Sequence, residues 1–137
     1  MTLTNEGKVV YEEKDIYTIT ADLKKNRIHF FFQGQFDNVN KIPHYVEHSQ
    51  KAVESLKKGF TILAEVVEGI KPPSITCTTP LKKSLDMFKE KEVGKVAVFI
   101  PKGNLLHKMS LNVVSKLSGL TAKVFGSKEE AEAWLDE

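Results

Sequence analysis

Cysteine is almost missing from this chain: Cys77 stands alone among 137 residues. A lone thiol excludes an internal disulfide and any metal cluster built on cysteine, and it fits a reducing compartment. Glycine-rich phosphate loops are missing too. Neither G-x-x-x-x-G-K-[ST] nor G-x-G-x-x-G occurs, which argues against a nucleotide enzyme. No stretch approaches the roughly 18 apolar residues of a membrane-spanning helix, and the start, MTLTNEGKVV, lacks the basic and apolar segments of a secretory leader. Charge of one sign is also scarce. Twenty Lys+Arg against 18 Asp+Glu leave a net +2, with the lysines spread along the chain, so no nucleic-acid partner is expected. These absences lead us to expect a soluble, cytoplasmic protein with no transmembrane segment and no cofactor.

What is present is enough apolar residue, 41% against 28% charged, for one core and one domain over 1–137. Lys8 to Glu12 and Ile16 to Asp22 are β-branched and aromatic-rich, and Arg27 to Phe36 (RIHFFFQGQF) is strongly β-prone, the last two forming a hairpin around DLKKN. From Asn38 to Lys58 the apolar residues Ile42, Tyr45, Val46, Ala52, Val53 and Leu56 recur at helical intervals, with Asn40 as cap, Pro43 in the first turn and Lys57-Lys58-Gly59 as the stop.

The stretch Phe60 to Phe88 reads as a buried strand, a Pro/Ser/Thr loop and a helix beginning at Thr79-Pro80, with Leu81, Leu85 and Phe88 on one face. Lys95 to Ile100 is a second buried strand. Leu106, Met109, Val113, Val114 and Leu117 mark a further helix, Ala122 to Phe125 a last strand, and Ser127 with Glu130 a capping box that opens a terminal helix. The order β-β-β-α-β-α-β-α-β-α predicts an α/β fold. It is a single mixed, mostly parallel sheet with an antiparallel N-terminal hairpin and four helices.

Candidate chemistry centres on the same stretch. Glu65 interrupts an apolar strand, where an unpaired carboxylate would be costly, and Glu68 follows near the strand end; a general acid/base pair or a solvent-reaching carboxylate both fit. Lys82 and Lys83 fall in the first turn of the expected helix, an anion-friendly position suited to a phosphate, a lipid headgroup or a phosphorylated Ser74, Thr76, Thr78 or Thr79. Phe30, Phe32, Met87, Phe88 and Met109 could line a pocket for a small apolar ligand, though each also suits a plain core. His44-Tyr45-Val46-Glu47-His48 spells H-x-x-E-H, a zinc-peptidase pattern. Without an evident third ligand it reads as the solvated face of the first long helix. His29 is expected near the sheet surface, His107 on a helix surface, and Cys77 in a packed loop before a helix.

The β-rich start, the helix Asn40 to Lys58, the strand FTILAEVVEG, the helix after TTP, the strand GKVAVFIPKG and the ending VFGSKEEAEAWL together resemble a STAS domain. That is the fold of anti-sigma-factor antagonists, and the likeness is greatest to its small bacterial STAS/Sec14-like branch. In the antagonists a strand-end Asp precedes an Asp-Ser-Ser-Gly segment whose serine is phosphorylated to switch partner binding. Glu65 stands at about the place of that Asp, and PPSITCTTP at the switch loop, while Asp-Ser-Ser-Gly itself is absent. The resemblance implies a non-enzymatic regulatory or protein-interaction module acting through 60–88. Its Sec14-like branch implies instead a carrier or sensor of a small hydrophobic or lipid-like ligand. A small hydrolase using Glu65 and Glu68 or the His44/His48 pair is the third reading. The expected partner is thus a protein or a small hydrophobic or anionic ligand, and a homodimer is left open.

Overall fold

The computed structural model describes residues 2–3, 7–67, 74–100 and 119–137. One seven-stranded sheet runs through them in the order of the sequence, β1 (Thr2–Leu3), β2 (Lys8–Glu13), β3 (Tyr17–Asp22), β4 (Arg27–Phe32), β5 (Thr61–Val66), β6 (Lys95–Phe99) and β7 (Thr121–Phe125). Strands β1 to β4 pair antiparallel and β4 to β7 pair parallel. The α/β class and the antiparallel start agree with expectation, but the sheet is evenly divided rather than mostly parallel. The N-terminal part is a meander of four strands, because β1, too short to carry a signal of its own, adds to the outer edge of β2.

The turns of the meander have local causes. The Asp22 carboxylate accepts hydrogen bonds from the Lys24 and Lys25 amides, both at 3.1 Å, and Asn26 takes the left-handed conformation at φ 53° that asparagine tolerates. At the other end, Gly34 passes so close to the Asp15 carbonyl that a Cβ would strike it, and its amide donates to the Ile16 carbonyl at 2.9 Å.

Among the described residues three α-helices cover the sheet, α1 (Tyr45–Glu54), α2 (Ile75–Glu90) and α3 (Lys128–Asp136). The helix expected around Leu106 to Leu117, with Met109 and His107, lies outside the described residues. So do Glu68 and residues 70–73 of the loop. The long helix expected from Asn38 divides in two, a 3-10 turn at Val39–Lys41 and then α1. Pro43 is the cause: the residue before a proline is pushed out of the helical region, and Ile42 sits at φ −127°, ψ 52°. Asn38, not Asn40, is the cap, its side chain accepting from the Asn40 amide at 2.9 Å.

Helix α2 starts earlier than Thr79-Pro80. Its N-cap is Ser74, and Pro80 lies inside it. Cys77, Leu81, Ser84 and Phe88 fall at i, i+4, i+7 and i+11, and Cys77, Ser84 and Phe88 are buried. Extending the helix upstream puts Cys77 on this stripe, and that burial outweighs the interior proline. The terminal capping box is realised in half: Ser127 Oγ accepts from the Glu130 amide at 3.4 Å.

The two faces of the sheet carry unequal cores. On the first, Tyr17, Ile19, Ile28, Phe30, Ile62, Val96 and Val98 join Tyr45 and Val53 of α1 and Phe88 of α2 in the main cluster. Its aromatic rings meet edge to face, Tyr17 with Tyr45 at 5.3 Å and Phe30 with Phe88 at 5.7 Å between centroids, a geometry worth about 0.5–1.5 kcal/mol per pair beyond burial. On the second face, among the described residues, α3 covers Leu63, Ala97 and Phe125 with Ala131 and Leu135. The β2 to β4 part of that face carries Val10, Thr18, Thr20, His29 and Phe31, all half-buried.

Candidate functional site

Glu65 points to the second face, between Phe31 of β4 and Phe99 of β6 in the parallel register. An isolated carboxylate there would be costly, and the fold supplies partners from two other elements. His29 Nε2 lies 3.1 Å from Glu65 Oε1, and Lys128 Nζ, on the first residue of α3, lies 3.4 Å from the same oxygen. The Glu65 side chain is 20% exposed and that of His29 31%. Burial lowers the pKa of His29, and the Lys128 charge adds to this, while the hydrogen bond to Glu65 and the charges of Glu65 and Glu132 act the other way. His29 is therefore neutral at neutral pH and shares a carboxylate with a lysine.

The sequence placed Glu65 at a critical position but did not reveal its neighbours. Its only signal was negative: a carboxylate inside an apolar strand demands compensation. Which residues compensate depends on the register between β4 and β5 and on where α3 lands. His29 is near the sheet surface as expected, though paired, whereas Lys128 carried no sequence mark.

At the other end of the 60–88 stretch, the Ser/Thr cluster opens α2. The Ser74 amide donates to the Phe36 carbonyl at 2.9 Å, tying the helix start to the chain after β4. Ser74 Oγ lies 3.0 Å from Thr76 Oγ1, and Thr78 Oγ1 donates to the Ile75 carbonyl at 2.6 Å. Thr76 and Thr79 are exposed. Beside them Ile75 is 88% exposed, one of two large exposed hydrophobic residues among those described, Leu23 being the other.

Because α2 starts at Ile75, Lys82 and Lys83 stand two turns into the helix and not at its first turn. They are exposed, and Lys82 pairs with Asp86 at 3.2 Å. Glu65 belongs to the opposite face of the sheet from α2, so the carboxylate and the hydroxyl cluster do not form one site.

The remaining sites expected from the sequence disperse. Phe30 and Phe88 are buried against each other, with Phe32 and Met87 partly buried beside them; Met109 is outside the described residues. Cys77 is fully buried on α2 rather than in a loop. The two histidines of H-x-x-E-H separate in role. His44 is exposed and pairs with Glu47 at 3.3 Å. His48 leaves the solvated face on which it was expected and bonds the buried Tyr17 hydroxyl through Nδ1 at 2.8 Å. Burial lowers the pKa of His48, the His44 charge adding to the effect. Among the described residues no group of three or more His, Cys, Asp or Glu side chains is placed to hold a metal ion, and no helix is long and apolar enough to cross a membrane.

A cleft of about 330 Å³ opens between the ends of α1 and α2, floored by Val53, Leu56 and Phe60. It sits at the start of β5, away from the start of α2. Lys57, Lys58 and Lys91 are balanced on its rim by Glu54, Glu90 and Glu92, so it shows no charge preference.

No family model, no curated protein and no solved structure matches the chain.

Proposed function

We propose that this chain is a non-enzymatic, STAS-like regulatory or protein-interaction module, and that it meets its partner through the start of α2 within the 60–88 stretch. The observation that carries the reading is Ile75, a large apolar side chain 88% exposed at the head of a 16-residue helix. Thr76 and Thr79 in the same first turns, and Lys82 and Lys83 two turns further along the helix, are exposed polar residues. An apolar anchor with polar residues beside it is the usual composition of a protein contact. The carrier reading has less behind it, since Phe30 and Phe88 fill one another's space in the core.

The test is capture of partners by the immobilised full chain, compared with Ile75→Asp and Lys83→Glu variants. Both positions are exposed, so the variants are expected to keep their fold, as circular dichroism can check. Specific capture should fall at least tenfold for Ile75→Asp and by less for Lys83→Glu. Equal capture by all three proteins removes this surface from consideration.

A further inference from the structure

We propose that His29, Glu65 and Lys128 form an acid-sensitive latch on α3: protonation of His29 frees the first turns of the helix from the sheet, while its far end stays attached. The helix has two unlike sets of polar attachments. At its start, Lys128 reaches Glu65 at 3.4 Å, and Glu65 is simultaneously bonded to His29 at 3.1 Å. At its end, Asp136 meets Arg27 Nη2 at 2.7 Å and Lys95 Nζ donates to the Trp134 carbonyl at 2.8 Å. Neither attachment at the end involves a histidine.

The charged groups facing His29 are Glu65 from β5 and Lys128 and Glu132 from α3. From β3 its cross-strand partner is Thr20, which does not titrate. While His29 is neutral, the one carboxylate of Glu65 serves one cation, Lys128. An imidazolium at His29 would set a second cation against that carboxylate in a half-buried place. It would repel Lys128 and be only partly hydrated, its side chain being 31% exposed. Glu65 and Glu132 attract it, but burial and Lys128 outweigh them, so the closed arrangement favours the neutral ring. Lifting the first turns of α3 admits water to the imidazolium and moves Lys128 away. Among the described residues the apolar contact that resists this is a small cluster, Ala131 and Leu135 on Leu63, Ala97 and Phe125 with Phe99 and Trp134 packed against it, and helix ends open at low cost.

The direction follows from linkage. The free histidine titrates near about 6.5, and His29 in the closed form below that. Closure is therefore fully supported above about pH 6.5 and loses support as the pH falls through the closed-form value.

The experiment is an NMR titration of the full chain from about pH 8 to about pH 5. It follows the backbone amides of α3 and of β3 together with the ring protons of each histidine. The expected result is that amides 128–132 move toward random-coil positions with the midpoint of the His29 ring, while the β3 amides stay in place. His29→Gln abolishes the movement, and His48→Gln leaves it intact. Flat α3 amides through the His29 titration, or the same movement in His29→Gln, overturn the proposal. If His29→Gln does not fold, Lys128→Met serves: it should raise the His29 midpoint, and an unchanged midpoint also overturns the latch.

Discussion

The Tyr17 hydroxyl and His48 Nδ1 stand 2.8 Å apart and join β3 to α1 across 31 positions of sequence. Tyr17 is fully buried, and burial, with the Glu13 charge adding, raises its pKa well above the ordinary phenol range, so the hydroxyl keeps its proton. Replacing Tyr17 by Phe retains the ring contacts and deletes this bond alone. We expect a loss of about 0.5–1.5 kcal/mol of unfolding free energy, read from urea denaturation. An unchanged midpoint would show that the bond contributes nothing net.

Pro80 offers the opposite sign. It is the sixth residue of α2, beyond the first turn where proline is harmless, and without an amide hydrogen it cannot donate to the Thr76 carbonyl. An interior helical proline costs about 3 kcal/mol against alanine, offset by about 0.4–1 kcal/mol through its stiffening of the unfolded chain. Pro80→Ala should therefore raise stability by about 2–2.6 kcal/mol in thermal or urea melts, and a loss of stability would mean that the proline relieves a crowding not visible in the helix geometry.

Among the described residues the second face of the sheet carries the smaller cluster, and Leu63 is its centre, 1% exposed beneath Ala131 and Leu135. Leu63→Ala is expected to cost about 2–5 kcal/mol and to increase hydrogen exchange in α3 more than in α1. Equal acceleration in both helices would show that the two faces open as one unit.

Acid should also act at the far end of α3. The hydrogen bond from Arg27 holds the Asp136 carboxyl below the usual carboxylate range. A depressed carboxylate contributes stability above its unfolded value of about 3.9 and loses it as the pH falls through the folded value. Asp136→Asn should flatten that part of the acid-unfolding curve below about pH 4 by lowering stability at neutral pH, the two curves converging in acid; the difference is modest because the Asp136 side chain is 54% exposed. A wild-type curve in the variant would remove Arg27–Asp136 as an acid-labile contact.

Much of the architecture was legible in residue order. Period-two alternation marked β3 and β4, the apolar run interrupted by Glu65 marked β5, and Ser127 with Glu130 marked the start of α3. Misreadings fell where a local rule met a competing demand. At Pro43 the proline's effect on Ile42 split a helix whose apolar spacing alone looked continuous. At Pro80 the good local start lost to burial of Cys77, and that moved Lys82 and Lys83 two turns from the helix end where they would have faced an anion.

What the sequence determined by itself is therefore what depends on neighbours a few positions apart: the periodicity of each element, most caps and turns, and the need of Glu65 for a partner. The tertiary structure alone decided who that partner is. Strand register set His29 beside Glu65, and the landing of α3 on the second face brought Lys128 to the same oxygen. These contacts join residues 36 and 63 positions apart, and no local preference encodes them, because they follow from which faces of distant elements must be buried together.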